Sequence, residues 1–359
     1  MTLEDLGWTP HWSEAFEPYR ATGFRPARVS LEHTHIYRVL SAEGERLARV
    51  SGRLRHAAAA RAEFPAVGDW VAIDARIPPP HPGESGRIVA VLPRISRFSR
   101  RAAGNPTEEQ VVAANVDVIF LVSGLDRDFN PRRIERYLVT AWDSGATPVI
   151  VLNKADLVED STPFVREVET IARGVSIAVV SAKRPDSLEQ LRGRIGAGRT
   201  AAVLGSSGVG KSSIANALIG EERLATREVR ERDSRGRHTS TNRQLVLLPG
   251  GGILIDMPGM RELQLWETGG ALAGAFSDIE ALASDCRFRD CRHRTEPGCA
   301  VTGAVEQGQL AAERLDSFRR LEDERAFQAT QQDERARLES KRQARVANKA
   351  LEKRLREKG

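Results

Sequence analysis

Short segments in which apolar and polar residues alternate mark the N-terminal part of the chain. Two of them cover residues 36–40 and 69–73, and a proline-rich turn at 78–83 follows the second. This spacing is typical of the short strands of a small β-barrel or sandwich. A helix at residues 57–63 is the only one predicted between residues 25 and 99.

Longer and almost wholly apolar segments follow between about residues 109 and 267. They lie at 116–122, 148–152, 178–180, 201–204 and 253–255. Strands this apolar are typical of a parallel sheet covered by helices on both faces, with stretches such as 131–142 as crossover helices. The pattern predicts an α/β doubly wound domain. A helical region is predicted from about residue 272, with exposed, highly charged helices over 310–358.

Composition places the chain among soluble globular proteins, since 40% of its 359 residues are hydrophobic and 29% are charged. No apolar run approaches the roughly 18 residues of a membrane span. The first residues, with Glu4 and Asp5, lack the pattern of a signal peptide. We therefore expect a cytoplasmic protein without a membrane partner. A net charge of +5 allows a polyanionic partner without requiring one.

A glycine-rich segment between an apolar strand and a helix carries the first chemical signature. Residues 205–212 fit the phosphate-loop pattern G-x-x-x-x-G-K-[ST], in which backbone N–H groups face the phosphates at the N-terminus of the helix predicted at 212–218. Lys211 is predicted to reach the β- and γ-phosphates, and the Ser212 hydroxyl to ligate Mg²⁺. The predicted nucleotide-binding residues are Gly205, Ser206, Ser207, Gly208, Val209, Gly210, Lys211, Ser212 and Ser213.

Two further loops at strand ends predict which base is bound. Asn153-Lys154-Ala155-Asp156 follows the segment at 148–152, and Ser181-Ala182-Lys183 follows the next strand. The Asp156 carboxylate can accept two hydrogen bonds from guanine, which adenine cannot donate. An Asn-Lys turn and a coincidental Ser-Ala-Lys are the alternative for either loop alone. Both loops beside a phosphate loop favour guanine binding by Asn153, Lys154, Asp156, Ser181, Ala182 and Lys183.

Residues that respond to Mg²⁺ and the γ-phosphate are predicted around the last strand of this domain. Asp256 would hold Mg²⁺ through water, and the Gly259 N–H would contact the γ-phosphate. The loop at 236–241 precedes that strand, and its hydroxyls, including Thr239 and Ser240, suit Mg²⁺ coordination. An ordinary polar loop is the alternative.

The guanine-reading loop precedes the phosphate loop in this chain, whereas most GTPases have the opposite order. This circularly permuted order still brings all the loops to the carboxyl edge of one parallel sheet. It also places Asp256 just before the cysteine-bearing region. We therefore hypothesise that a γ-phosphate-dependent movement passes into residues 271–309. Similar hydrogen-exchange protection of this region with GDP and with a GTP analogue would count against the hypothesis.

All three cysteines of the chain fall in the segment Cys286-x₄-Cys291-x-His293-x₅-Cys299. Three thiolates and one imidazole satisfy tetrahedral Zn²⁺, and four protein ligands close its coordination shell, so a structural metal is predicted. Three buried free cysteines and a surface histidine are the alternative. The arginines between these residues would contact phosphates or be solvated, and they are Arg287, Arg289, Arg292 and Arg294.

Together these motifs resemble the ribosome small-subunit-dependent GTPase A family of bacteria. The resemblance spans about residues 25–313 and rests on the permuted order of the motifs followed by the cysteine cluster. It implies an α/β fold, a circularly permuted P-loop GTPase domain with an N-terminal OB-type β-barrel and a C-terminal helical zinc-binding domain. The implied boundaries are 1–105 for the N-terminal extension and barrel, 106–270 for the GTPase domain, and 271–359 for the zinc-binding domain and charged helices.

The resemblance also implies hydrolysis of GTP to GDP, stimulated by the small ribosomal subunit, during late maturation of that subunit. The implied cofactors are GTP/GDP, Mg²⁺ and one structural Zn²⁺. The implied partners are the subunit and its rRNA, and the protein is expected to be a monomer. Arg94, Arg97, Arg100 and Arg101 are candidates for rRNA contact or for a solvated rim. Residues 341–358 fit either an rRNA-binding arm or a solvated helix.

Catalysis is assigned to Lys211, His238 and Ser240. Met260 stands where many GTPases carry a water-orienting glutamine, and a thioether orients water poorly. We therefore predict slow intrinsic hydrolysis, with His238 positioning the water once the ribosome orders its loop. Two alternatives stay open. Nucleotide merely locks an RNA-binding conformation, or the protein is an ATP-using enzyme, against which Asp156 argues.

Overall fold

A computed structural model describes residues 1–33, 36–74, 86–102, 105–221, 243–257, 276–323, 326 and 330 of the chain. The chain forms two compact units. One comprises Met1–Gly104 and Glu108–Ala275, and the other comprises Asn105–Thr107 and Phe276–Gly359. Among the described residues, no helix has the length and apolar character that crossing a membrane requires.

The first unit begins with a short helical segment and a closed barrel of five strands. A 3₁₀ turn at Glu4–Leu6 and helix α1 (Pro10–Arg20) precede the barrel. The barrel strands are β1 (Arg25–His33), β2 (Ile36–Ser41), β3 (Gly44–Val50), β4 (Trp70–Asp74) and β5 (Gly86–Val91). They pair in the order β1–β2–β3–β5–β4, and β4 pairs again with β1, which closes the barrel. The predicted barrel is therefore confirmed.

The predicted helix at 57–63 is wrong in its position. Helix α2 covers Gly52–Ala57, and only a 3₁₀ turn, Arg61–Glu63, lies in the second half of the predicted range. The helix starts early because the Ser51 hydroxyl accepts a hydrogen bond from the Leu54 N–H at 3.2 Å, which caps its first turn.

A two-stranded sheet, β6 (Arg97–Ala102) with β7 (Asn105–Ala114), leads from the barrel into the α/β part of the first unit. The strands that follow are β8 (Val118–Gly124), β9 (Thr147–Asn153), β10 (Ser176–Val179), β11 (Thr200–Gly205), β12 (Gln244–Leu247) and β13 (Ile253–Asp256). The helices between them are α3 (Pro131–Ser144), α4 (Thr162–Ile171), α5 (Glu189–Ile195) and α6 (Lys211–Ile219).

These strands form a sheet in the order β10–β9–β8–β11–β13–β12, with β12 antiparallel and the others parallel. One face packs on α3 and α4 through residues such as Leu138 and Val168, and the other packs on α5 and α6 through Leu191 and Ile214. The doubly wound prediction is confirmed. The sheet continues into the barrel because Leu31 of β1 pairs with Gln244 of β12.

A buried arginine joins the barrel to the start of the central sheet. Arg28 on β1 is 2% exposed, and its guanidinium donates to the Gly68 carbonyl at 3.2 Å, the Asn115 carbonyl at 3.1 Å and the Thr200 hydroxyl at 2.8 Å. Burial lowers the pKa of Arg28 to about 10, against the opposing effect of Asp117. The side chain therefore stays charged at neutral pH, and it fixes the barrel against the first residue of β11.

The described part of the second unit contains three helices, and the loop at residues 284–299 lies between the first two. The helices are α7 (Ser277–Ala283), α8 (Ala300–Glu306) and α9 at 312–323. A buried ion pair joins the first and last of these helices, since Arg314 Nε lies 2.5 Å from Asp278 Oδ2. The predicted C-terminal arm at 341–358 lies outside the described residues.

Candidate functional site

The phosphate-loop segment runs from the end of β11 into α6, as its sequence predicts. Gly208 and Gly210 have φ of 82° and 96°, which a residue with a side chain rarely adopts. A Cβ at Gly210 would also lie 2.3 Å from Asn153 Nδ2. The Lys211 ammonium donates to the Ser206 carbonyl at 2.5 Å, so its charge lies across the loop. Backbone and lysine together form a positive cradle at the N-terminus of α6.

Asn153 joins the phosphate loop to the guanine-reading loops. It is 2% exposed at the end of β9, and its amide donates to the Val209 carbonyl at 2.8 Å. Its side-chain oxygen accepts a hydrogen bond from the Ala182 N–H at 3.0 Å. One side chain thus sets the spacing between the loop that would hold phosphates and the loop that would support the base.

Asp156 is held by the two residues predicted to act beside it. Its Oδ1 accepts a hydrogen bond from the Ser181 hydroxyl at 2.7 Å, and its Oδ2 lies 3.1 Å from Lys183 Nζ. The hydrogen bond from Ser181, followed by that from Lys183, lowers the pKa of Asp156 below its ordinary value. The group is therefore an oriented carboxylate at neutral pH, which is the state that accepts hydrogen bonds from guanine.

The loop between β8 and α3, which no sequence motif predicted, contacts both halves of this site. Asp126 Oδ2 accepts a hydrogen bond from Lys154 Nζ at 2.5 Å on the base side. On the phosphate side, Asp128 Oδ2 accepts from the Ser206 hydroxyl at 2.9 Å, and Arg133 Nη1 donates to the same hydroxyl at 2.9 Å. The available signal was the pair of carboxylates directly after a buried strand.

The predicted magnesium and γ-phosphate residues are only partly described. Asp256 ends β13, which lies beside β11 in parallel register, so it is at the same sheet edge as the phosphate loop. Ser212 and Ser213 lie in the first turn of α6. His238, Thr239, Ser240 and Gly259 lie outside the described residues, as does Met260. The roles given to these residues stay predictions.

Four predicted ligands converge in the second unit. The ligand atoms of Cys286, Cys291, His293 and Cys299 all lie within 4.8 Å of one another, so the group can hold a metal ion. His293 Nδ1 is 3.6 Å from Cys286 Sγ and 3.4 Å from Cys299 Sγ. Burial raises the pKa of Cys299, but hydrogen bonds, first from Thr302, outweigh it and lower the pKa to about 6.

A carboxylate and an arginine fix the loop that carries His293. Glu296 accepts hydrogen bonds from the N–H groups of Arg292, Arg294 and Thr295 at 3.0, 2.8 and 3.1 Å. Arg319 Nε donates to the His293 carbonyl at 2.9 Å. These contacts hold His293 at a φ of 56°, in the left-handed region that few residues other than glycine adopt.

The four arginines near the barrel exit differ in their surroundings. Arg94 is neither a free RNA contact nor a solvated rim, because it pairs with the fully buried Asp69 at 2.7 Å and also donates to the Ala62 carbonyl. Arg97 is exposed and lies 3.6 Å from Glu109. Arg100 donates a hydrogen bond to the Gln110 side chain at 3.3 Å. The side chain of Arg101 lies outside the part of the chain that the structure describes.

The order of strands and loops around this sheet edge defines the chain as a circularly permuted P-loop GTPase. Residues 91–266 match the family model described as RsgA GTPase. A relative from Opitutus terrae, named small ribosomal subunit biogenesis GTPase RsgA, is 48% identical and aligned over 93% of this chain and 92% of its own length. The chain belongs to the RsgA GTPase family.

Solved structures agree with the fold. The crystal structure of YjeQ from Thermotoga maritima aligns with a TM-score of 0.61 and 28% identity, over 83% of this chain and 97% of its own. That of YloQ, described as a circularly permuted GTPase, aligns with a TM-score of 0.58 and 24% identity, over 87% of this chain and 96% of its own. The predicted family, fold class and GTP hydrolase activity are therefore confirmed.

Proposed function

We propose that this chain binds the small ribosomal subunit, assists its late maturation and hydrolyses GTP in a subunit-stimulated manner. The observation that carries the proposal is the contact of Asn153 with both the phosphate loop and the guanine-reading loop. It supports a site that takes a guanine nucleotide as one unit. The name of the Opitutus terrae relative, a small ribosomal subunit biogenesis GTPase, supports the choice of partner.

Different residues of the site bind the guanine base and the phosphates. Asp156, oriented by Ser181 and Lys183, accepts hydrogen bonds from guanine. Lys154 and Ala182 complete the base pocket. The N–H groups of residues 205–213 and the Lys211 ammonium hold the phosphates, where negative charge grows as the γ-phosphoryl leaves.

A magnesium ion fits the polar groups at this sheet edge. Ser212 lies in the first turn of α6 and Asp256 is the last residue of β13. Their hydroxyl and carboxylate oxygens are hard ligands, which suit Mg²⁺. Bound Mg²⁺ would neutralise charge on the β- and γ-phosphates. We assign Thr239 and Ser240 to the same ion, Gly259 to the γ-phosphate, and His238 to orientation of the attacking water.

The four-residue cluster of the second unit fits zinc. Tetrahedral bonds of about 2.3 Å to sulfur and 2.0–2.1 Å to nitrogen place ligand atoms about 3.5–3.8 Å apart. The distance between Cys286 Sγ and Cys299 Sγ is 3.9 Å, and both lie 3.4–3.6 Å from His293 Nδ1. Since Cys291 completes four protein ligands, the ion would be structural.

We place the domain boundaries at 105/106 and 270/271.

A basic surface on the barrel suits the phosphate backbone of rRNA. Arg49 of β3 and Arg87 of β5 are exposed and lie side by side in register. Helix α2, which follows β3, adds exposed Arg53 and Arg55 and contains no acidic residue. Arginines of this kind bind phosphates and position a protein on nucleic acid.

We propose that the protein acts as a monomer in the cytoplasm.

The test is GTP hydrolysis by the purified chain, with and without small ribosomal subunits, and with ATP as the control substrate. We expect hydrolysis of GTP alone, accelerated by the subunits. Lys211→Ala should lower the rate about a hundredfold or more, because it removes a charge at the reacting phosphates. Arg166→Ala, an exposed position on α4, is the matched control. Equal use of ATP would refute the guanine assignment, and no response to subunits would refute the partner.

A further inference from the structure

The first turn of α3 carries an arginine where helix electrostatics disfavour one. Asn130 caps this helix, and Arg132 and Arg133 occupy its first turn without an acidic residue among them. A positive charge at a helix N-terminus is unfavourable because the free N–H groups there are already positive. Arg132 is exposed to solvent, whereas Arg133 is half-buried against the phosphate loop.

Arg133, Asp128 and Ser206 are joined to one another by three side-chain hydrogen bonds. Arg133 Nη1 lies 2.7 Å from Asp128 Oδ2 and 2.9 Å from the Ser206 hydroxyl oxygen. The Ser206 hydroxyl in turn donates to Asp128 Oδ2 at 2.9 Å. The Ser206 hydroxyl is thus held by two charged partners, and charge-assisted hydrogen bonds are stronger than those between neutral groups. The phosphate-loop pattern itself asks for no hydroxyl at this position.

The peptide that this network fixes lies at the start of the phosphate cradle. Ser206 follows Gly205 directly, and the Lys211 ammonium donates to the Ser206 carbonyl at 2.5 Å. A shift of Ser206 therefore moves both the loop N–H groups and the lysine that faces the phosphates. Small displacements of such donors matter most in the transition state, when charge builds on the phosphate oxygens.

We propose that Arg133 and Asp128 are positioning residues for GTP hydrolysis, and that they act by fixing Ser206 at the start of the phosphate loop. Arg133 acts through Ser206 rather than by touching the nucleotide. The inference rests on GTP hydrolysis by this chain. The wild-type rate tests that activity separately.

The experiment measures single-turnover GTP hydrolysis, its maximal rate and the enzyme concentration at half-maximal rate, together with the Kd for GDP and the melting temperature. The variants are Arg133→Gln, Arg133→Lys, Ser206→Ala and the double variant of Arg133→Gln with Ser206→Ala. Arg132→Gln removes the same charge from the same helical turn without touching the loop, so it is the matched control.

We expect Arg133→Gln and Ser206→Ala each to lower the maximal rate about tenfold, as for the loss of one charge-assisted hydrogen bond. The GDP Kd should stay within about twofold, and Arg133→Lys should recover part of the rate. The double variant should be no slower than the slower single variant, because both act on one network.

Three results would overturn the inference. Arg133→Gln could keep the wild-type rate, the losses of the two single variants could multiply, or rate, GDP affinity and melting temperature could fall together as for a purely structural contact. A wild-type chain that hydrolyses no GTP even with subunits would refute the proposed function, and with it any role of this network in hydrolysis.

Discussion

Replacing Asn153 with aspartate tests whether one side chain holds the two halves of the nucleotide site together. The Asn153 amide donates to the Val209 carbonyl at 2.8 Å, and its oxygen accepts from the Ala182 N–H at 3.0 Å. Aspartate has the same shape and keeps the acceptor, but it has no donor when ionised. Asn153→Asp therefore sets a carboxylate oxygen against the Val209 carbonyl oxygen.

The size of the effect follows from burial, because Asn153 is 2% exposed. A buried acceptor left unpaired costs about 1–3 kcal/mol, and the added charge brings the total to about 2–4 kcal/mol. The free variant can relieve this cost by letting the two loops separate. Nucleotide needs both loops in place, so the cost should raise the Kd for GDP by about 30- to 900-fold.

Titration with a fluorescent GDP analogue measures this Kd directly. Asn130→Asp is the matched control, since it makes the same chemical change at an exposed helix cap where aspartate and asparagine serve equally well. A Kd for Asn153→Asp within about threefold of the wild-type value would show that the loops are held by other contacts, and would refute the reasoning.

Two further predictions concern stability. Arg94→Met leaves the buried Asp69 carboxylate without its guanidinium partner and should cost about 3–5 kcal/mol, seen as a lower melting temperature by tryptophan fluorescence. Arg97→Met removes an exposed arginine that lies 3.6 Å from Glu109, so it should cost below about 1 kcal/mol, and equal losses would contradict the assignment. Backbone hydrogen bonds lower the pKa of Glu296 from 4.5 to about 2, so its stabilisation is complete above pH 4.5 and is lost as the pH falls towards 2. The urea midpoint of Glu296→Gln should therefore lie below that of wild type at pH 7 and meet it near pH 2, and a constant difference over this range would refute the role of the carboxylate.

The sequence predicted those parts of the fold that local pattern determines. The five apolar segments correspond to β8, β9, β10, β11 and β13. Strands β8, β9 and β11 are buried almost throughout, which requires apolar side chains on both faces. The helix predicted at 131–142 is α3, whose start is marked by Asn130 and Pro131. The metal cluster was predictable because its ligands are close in sequence.

Contacts between distant segments were not predictable from the sequence. From the sequence alone, Arg28 is a strand residue that could face solvent. It is buried because β1 lies against residues 115 and 200, to which its guanidinium donates hydrogen bonds. The sequence pattern around Arg133 gives no sign of a contact, yet its side chain donates a hydrogen bond to Ser206, which is 73 residues further along the chain. Helix α1 was missed because Trp12 and Phe16 form only a short apolar stripe, and its packing on Trp70 is a tertiary contact.

The strand order has a consequence for synthesis of the chain. Strand β8 is buried along its whole length between β9 and β11, but β11 begins 76 residues after β8 ends. At about 5–20 residues per second, the ribosome needs roughly 4–15 s to make that stretch. During this interval β8 can pair with β9, while its other edge stays open to unwanted strand pairing. The strand order of this chain therefore leaves the sheet incomplete until β11 has been made.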